Sequence, residues 1–590
     1  MNKIKNAFLC FVLILLNSCT SNKSGITDSI RISDIQGCGH ISPYNDQLVT
    51  GVEGVVTHKF KSGFTMQALI YDERECSSEA LFVFTATYPE VFPGQLVSVN
   101  GKVEEFYAGN EENYNLSRTE IHDPVINILS SRMNLPKYIS IHDGQKETPD
   151  RFIDSDPEFN VSIDGLDYYE SLEFMLVGVE SGIVVGPKNS YNEFIILPNT
   201  KSNNNLSSKN GNLLLQDGDE NPELVMVDVA SSFTQKVNVG DQFSSPIVGI
   251  MDYSFGNYKI WTINDPEIKA VKHEKEIIQS VDNESLTIAS YNIENYSLFD
   301  DEQKIKGISC QIAIDLASPD IVVLHEVLDD SGTVNDNVVT AQATLERLVR
   351  EIRSCGGPEY FPSDNPPENN EDGGIDGGNI RSVVLYRPDR GLSLDFPDTA
   401  TNGLSTRNGE IVIGINPYRF AQNVSVFWGT RKPAAWLFTW RGEKILIIAV
   451  HLVSQAATTP LWGSMQPPIK PEQSKRKTQA RLISEYIQKI YELEDELLII
   501  VAGDLNDYPW SDTLTEITSD NMKNPSYIEP DSGRYSYIFD GNSFQFDYIL
   551  VDQDLEKRIL NYKILHINTF YSYETRLSDH DPVYIQFSSK

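Results

Sequence analysis

Leu497-Leu498-Ile499-Ile500-Val501-Ala502-Gly503-Asp504-Leu505-Asn506 joins an unbroken apolar run to a Gly-Asp-Leu-Asn turn. An apolar run of this length reads as a strand covered on both faces, because a half-exposed strand would alternate. Its polar residues fall where the strand leaves its sheet. Outward from it, similar runs recur at Leu286–Tyr291, Ile321–His325, Val383–Tyr386, Ile445–Leu452, Phe546–Val551 and Val583–Phe587. Helical spacing lies between them, in Ile305, Ile308, Ile312 and Leu316, in Ala341, Leu345, Leu348 and Ile352, and in Leu482, Ile483, Tyr486, Ile487 and Ile490. This order predicts a sandwich of two sheets with helices outside, over residues 284–590.

Before that point the texture is all-β. Val52–Val56, Gly63–Gln67, Leu81–Phe84 and Leu96–Val99 read as short strands, punctuated by Pro93-Gly94 and Asn100-Gly101. Such a series suits a small barrel such as an OB-fold. A second series includes Phe174–Val177, Gly182–Val185, Phe194–Leu197 and Lys259–Trp261. Each series carries a Gly-Asn pair, Gly109-Asn110 and Gly256-Asn257, which reads as a weak internal repeat. The expectation is two all-β OB-like modules, residues 31–132 and 168–270, ahead of the α/β domain.

The N-terminus reads as a leader. Lys3 and Lys5 precede the apolar Ala7–Leu16, which is too short to span a bilayer. Leu16-Asn17-Ser18-Cys19 resembles a bacterial lipobox, the alternative being an ordinary signal peptide with an incidental Cys. The lipobox implies a signal over residues 1–18, lipid on Cys19 and a tether over 19–30. The protein would then be an exported monomer held to a membrane, as an outer-membrane, cell-surface or periplasmic-facing lipoprotein. In that compartment Cys38, Cys76, Cys310 and Cys355 are expected to pair. Four cysteines allow three connectivities. Cys38–Cys76 with Cys310–Cys355 is preferred, because each bridge then stays within one domain; buried free thiols are the alternative.

The formal net charge of −36 excludes a global positive field that would attract a polyanion. If the substrate is a polyanion, metal ions and local basic residues must offset the repulsion. The strand ends supply candidates: Asn292 and Glu294, Glu326, His451, Asp504 and Asn506, Asp547, and Ser578-Asp579-His580-Asp581-Pro582. Strand ends gather at one rim of a sheet, so residues distant in sequence can share a cleft. Oxygen donors of this kind suit Mg²⁺, with Mn²⁺ or Ca²⁺ as alternatives, rather than structural zinc.

The order Asn292, Glu326, His451, Gly503-Asp504-Leu505-Asn506, Asp547 and Ser578–Pro582 resembles the endonuclease/exonuclease/phosphatase superfamily. The resemblance implies a deoxyribonuclease-like, four-layered α/β sandwich. Gly377-Gly378-Asn379-Ile380-Arg381, Thr430-Arg431-Lys432-Pro433, Gln466-Pro467-Pro468 and Tyr535-Ser536-Tyr537 through Gly541-Asn542-Ser543 are similar to bacterial extracellular nucleases, whose leading domains are OB-like. It implies metal-dependent hydrolysis of DNA or RNA with little sequence preference. A phospholipid or inositol-phosphate phosphodiesterase of the same superfamily, and a surface binding protein that does no catalysis, are the rivals.

The same resemblance implies roles. Glu326 would be the principal metal ligand, with Asn292 and Asp579; Asp504 would orient or deprotonate the attacking water; Asn506 and Arg431 would hold the phosphate. His580, oriented by Asp547, would meet the developing charge, and His451 would stand near the leaving oxygen. His325 replaces the usual Gln and is expected to face away. Val453 and Gln455 replace an Asn and a Lys. No acid stands near Ile380-Arg381 to orient His451, which leaves Asn379 as the guess. Asp507 and Asp512 read as cap or flank of a helix, Lys475-Arg476-Lys477 as a solvated helix face, and Asp372 and Asp376 as a flexible acidic loop rather than a calcium site.

Overall fold

The structure, a computed structural model, describes residues 30–590 except 110, 143–146, 200–210, 244, 280–283 and 520; the leader and Cys19 lie outside the described residues. In the C-terminal half two sheets stack. One has six strands in the order Phe361–Ser363, Arg381–Tyr386, Ile321–Val327, Leu286–Tyr296, Val583–Phe587 and Ile559–Ile564. The other runs Leu392–Leu394, Ala434–Trp440, Glu443–His451, Leu498–Asp504, Asp547–Asp552 and Met522–Lys523, with Tyr418–Arg419 also paired to Ala434–Trp440.

The continuous apolar runs follow from burial on two sides. In Glu443–His451, Ile445, Ile447 and Ala449 enter the core between the sheets with Trp436, Ile500 and Ile585. Leu446, Ile448 and Val450 instead face helix Gln473–Leu493 through Ile483 and Ile487. In Leu286–Tyr296, Ile288 points inward, while Ala289, Tyr291 and Ile293 meet Ile305, Ile308, Leu345 and Leu348 of helices Glu302–Cys310 and Gln342–Ser354. The layers are therefore helix, sheet, sheet, helix. At about 25 cal/mol per Å² of apolar surface, such double burial is a main stabilising term. The Cys310–Cys355 disulfide joins the C-terminal ends of those last two helices, and Cys38 is bonded to Cys76. No described helix is long and apolar enough to cross a membrane.

The first β block is a closed barrel of five strands, Leu48–Lys59, Gly63–Gln67, Ala80–Phe84, Arg118–Ser130 and Leu96–Phe106 in order. The second block is not a second such barrel. It is one nine-stranded sheet running Ile268–Lys269, Gln242–Phe243, Gly182–Gly186, Glu193–Pro198, Val225–Asp228, Asn257–Thr262, Ile247–Ser254, Leu176–Val179 and Ile139–Ser140. The expected OB-like module over 168–270 is thus corrected, and the repeat has no counterpart in strand order. Gly-Asn pairs mark turns and say nothing of which strands they join.

Candidate active site

Strand register assembles the rim. His451 is paired with Asp504 in a parallel ladder, and Asp504 with Asp547 in an antiparallel one. Residues opposite one another project from the same face, so three side chains far apart in sequence become neighbours. On the other sheet Asn292 pairs with His325, and the ladders on both sides of Ile321–Val327 shift immediately beyond this point. The shift is a bulge, a device that re-aims a side chain, and it leaves Glu326 at φ +62°. Asn292 Nδ2 then donates to Glu326 Oε1 at 3.2 Å and to Asp504 Oδ2 at 3.3 Å, bridging the two sheets. The Asn295 amide donates to Glu326 Oε2 at 3.0 Å.

Gly503 makes the close approach possible. Its φ is +152°, and a Cβ there would lie 1.8 Å from the Val450 carbonyl oxygen and 2.9 Å from His325 Cε1. Gly503→Ala should therefore cost about 3 kcal/mol or more in denaturant unfolding, since ladder and buried imidazole would both have to move. An unchanged unfolding midpoint would show that the strand can shift freely.

His580 arrives on the last loop. Ser578 Oγ donates to the Asn292 carbonyl at 2.7 Å, and Asn568 Nδ2 donates to the His580 carbonyl at 2.8 Å. Its Nδ1 donates to Asp547 Oδ2 at 2.7 Å, an oxygen that also accepts Ser536 Oγ at 2.7 Å. Its Nε2 lies 3.8 Å from Asp504 Oδ2 and 4.0 Å from Asp579 Oδ1. From the other side, His451 Nε2 lies 3.6 Å from Asp504 Oδ2 and 3.9 Å from Glu326 Oε1. Asn506, at φ +51°, donates its amide N–H to Asp504 Oδ1 at 2.8 Å. Asn506 Nδ2 and Arg431 Nη2 both donate to the Leu452 carbonyl, at 3.2 and 2.7 Å, and the buried Arg431 Nε has no partner among the described residues.

The two histidines have opposite characters. Burial, then Arg431, His325 and His580, push His451 well below its usual value. Burial opposes protonation of His580 too, but Asp547, followed by Asp579 and Asp504, holds it well above. Burial pushes Asp504 up to about 7, with Asp547 and Glu326 adding to the shift and His580 opposing it. Burial and then Asp579 push Glu326 up. These are the two ordinary causes, desolvation and neighbouring charge, acting together.

The excess of carboxylates over cations bears on a metal. Glu326, Asp504, Asp547 and Asp579 face one imidazolium and Arg431, so a divalent cation would offset surplus negative charge. Among the described residues, ligand atoms of Asp504, Asp547 and His580 come close enough to share an ion. In that cluster, however, His580 Nδ1 and Asp547 Oδ2 already hold one another. Glu326 and Asp579 offer carboxylate oxygens without breaking that bond, donors that fit Mg²⁺, Mn²⁺ or Ca²⁺, whereas Asn292 turns its Nδ2 toward Glu326 and its Oδ1 to the Glu294 amide, so its amide would have to flip to join them.

Four sequence expectations are corrected. His325 does not face away: it is fully buried against Gly503, its Nδ1 2.8 Å from Ser382 Oγ and its ring 6.1 Å from that of His451. Burial, then His580 and Arg431, push it down to about 3, so it is a neutral spacer between the sheets. Asn379 is not the partner of His451; its amide donates to Asp329 Oδ2 at 2.8 Å and to the Val338 carbonyl at 2.7 Å, closing its own loop. Arg476 is 1% exposed, pairs with Asp507 and donates to the Val453 and Ser454 carbonyls, fixing the chain beyond His451. Asp507, besides pairing with Arg476, accepts Thr513 Oγ1 at the start of the following helix, and Asp512 stands in that helix's first turn and pairs with Lys477, so both flank the helix as expected while Ser511 caps it. The spacing of Arg476, Ala480, Ile483 and Ile487 already placed Arg476 on the buried face. Asp372 is not a free carboxylate of its loop; it is buried between Arg419 and Lys432, while Asp376 farther along the same loop is exposed. One residue escaped the sequence altogether: Arg576, whose Nη2 lies 3.1 Å from Glu294 Oε1 at the same rim.

A family model described as a domain of unknown function (DUF8508) matches residues 129–273. No curated protein matches the chain. Over about half of the chain, similar solved structures are endonuclease/exonuclease/phosphatase proteins. One, from Bacteroides thetaiotaomicron, is 18% identical over 52% of this chain and 95% of that one, with a TM-score of 0.34. Another, from Bacteroides vulgatus, is 19% identical over 52% and 99%, with a TM-score of 0.32. A humanized D. rerio TDP2 is 16% identical over 52% and 100%, with a TM-score of 0.34. Superpositions this loose do not carry chemistry from those proteins to this one.

Proposed function

We propose that the C-terminal half is a divalent-metal-dependent phosphodiesterase that hydrolyses nucleic-acid backbones, with the cation held by Glu326, Asn292 and Asp579. The observation that carries this reading is the placement of Asp504 between two imidazoles, with His580 Nε2 at 3.8 Å, held toward its charged form by Asp547, and His451 Nε2 at 3.6 Å, pushed toward its neutral form by burial. The cation would supply charge neutralisation on the phosphate oxygens. The remaining work belongs to the chain. Asp504, fixed at Oδ1 by the Asn506 amide, orients the attacking water and takes its proton at Oδ2. His580 donates from Nε2 to a phosphate oxygen as negative charge develops, while Asp547 fixes the proton on Nδ1. As the P–O bond to the leaving group breaks, His451, neutral, donates a hydrogen bond to the leaving oxygen, which takes its proton from solvent. Asn506 and Arg431, joined at the Leu452 carbonyl, flank the phosphate.

Purified full-length protein should be assayed on plasmid DNA, single-stranded RNA, sphingomyelin and an inositol phosphate. The expected result is cleavage of nucleic acid, lost in excess chelator and regained with Mg²⁺ or Mn²⁺. Full hydrolysis in excess chelator removes the metal from the reading. Turnover of lipid or inositol phosphate alone favours the rival phosphodiesterase, and no turnover on any substrate favours a binding protein.

A further inference from the structure

Several motifs singled out in the sequence carry no chemistry: Gln466-Pro467-Pro468, Gly541-Asn542-Ser543 and Gly256-Asn257. All three lie where the nine-stranded unit meets the C-terminal half. That contact is made by three loops, and each loop also carries a group of the candidate site.

The first loop follows His451. Near its start Gln455 Nε2 donates to the Asn506 carbonyl at 2.9 Å. At its tip the Trp462 ring packs 5.4 Å from that of Tyr169 and 6.1 Å from that of Tyr258, and its carbonyl accepts Tyr253 Oη–H at 3.0 Å. Gln466 shapes the tip by donating to the Leu461 and Gly463 carbonyls. Pro460 packs on Gly256, where a Cβ would come within 2.7 Å of it.

The second loop is the hairpin Tyr537–Phe539 and Asn542–Phe544, set between the Tyr537 ring on His580 and the carboxylate Asp547. Leu213–Leu214 of the nine-stranded unit adds to it as a third, parallel strand, and Asn221 Nδ2 donates to Asn542 Oδ1 at 2.6 Å. A Cβ on Gly541 would meet Ile195 at 2.6 Å. The third loop runs from Asn568, which holds the His580 carbonyl, to Arg576, which pairs with Glu294. Its Phe570 carbonyl accepts the Val239 amide, its Tyr573 amide donates to the Lys188 carbonyl, and Glu574 Oε1 lies 2.8 Å from Lys188 Nζ.

We propose that residues 129–273 act as a clamp on the active site, setting the positions of Asn506, His580 and Arg576 through these loops. The proposal rests on the phosphodiesterase reading for its kinetic consequence, though not for the clamp itself. Domains joined within one chain ordinarily keep freedom to move, and loops beside a reaction centre move readily. Here an inserted indole at the first loop, a shared ladder with a side-chain amide pair at the second, and an ion pair with two backbone hydrogen bonds at the third remove that freedom at the three segments that bear reacting or aligning groups.

Trp462→Ala, Asn542→Ala and Glu574→Ala, made singly in the full chain, each loosen one loop; the last two lie outside both apolar cores, whereas Trp462 also packs against the core of the nine-stranded unit. Each should lower the single-turnover rate roughly tenfold or more with little change in KM, since small misplacements are costly to chemistry. Trp462→Phe should recover most of the loss. Amide exchange at residues 576–581 should quicken in Asn542→Ala and Glu574→Ala, while the melting temperature stays within a few degrees of wild type. Exchange and rates equal to wild type in all three would overturn the clamp, as would losses that merely follow melting temperature. If the wild type hydrolyses no phosphodiester, exchange still decides the clamp, and the functional reading fails by itself.

Discussion

His580→Ala should slow single-turnover cleavage by on the order of a hundredfold or more, Asp547→Asn by nearly as much, and the double variant scarcely further. The geometry gives the reason. Asp547 is fully buried, its Oδ2 holds His580 Nδ1 at 2.7 Å, and its Oδ1 has no partner among the described residues. Asparagine keeps the volume but removes the charge that, against burial, leads in holding His580 protonated. The imidazole then loses both orientation and proton, and little remains for His580→Ala to remove. Ser536 cannot compensate, because its hydroxyl donates to the same Asp547 oxygen. Single-turnover cleavage of one DNA substrate by the three variants measures this. Losses that multiply would make the residues independent, and near-wild-type rates for Asp547→Asn would remove Asp547 from the site.

The rim was legible in the sequence because it is written in strand ends. Asn292, His451, Asp504 and Asp547 each terminate or begin an apolar run, and register follows from the pattern of burial. Glu326 was legible as a carboxylate but not as a bulged residue at φ +62°, since a bulge depends on what the neighbouring strands do. Ala434–Trp440 was missed because Thr439 and the tryptophans break the aliphatic run, although Trp436 and Trp440 fill the core between the sheets. The nine-stranded sheet was misread because turn dipeptides mark where strands end and not what they pair with. Arg476 and His325 were misjudged for one reason: both are polar residues whose partners come from distant segments, Asp507 and the Val453 carbonyl in one case and Ser290 and Ser382 in the other.

Glu326→Gln should separate activity from stability, and in opposite directions. Glu326 is held next to Asn292 and Asn295 by hydrogen bonds that glutamine can keep in part, so the fold should persist. The loss is charge. A cation that relies on this carboxylate contributes several kcal/mol to meeting transition-state charge, so turnover should fall by at least about a hundredfold. Burial, and then Asp579, hold the Glu326 carboxyl above its usual range, which means its ionised form is a burden on the metal-free fold. The metal-free variant should therefore melt at or above the wild type. The sign of the pH dependence agrees. Asp504, pushed from 3.8 up to about 7, favours the folded state when protonated, so metal-free wild type should lose stability as pH rises across that interval. Mg²⁺ should restore it by binding the folded state, and that rise in melting temperature should be much smaller in Glu326→Gln. Thermal melts of both proteins with and without Mg²⁺, beside turnover on one DNA substrate, test the argument. A variant that keeps the full Mg²⁺-dependent rise, or wild-type turnover, would place the cation elsewhere in the cleft.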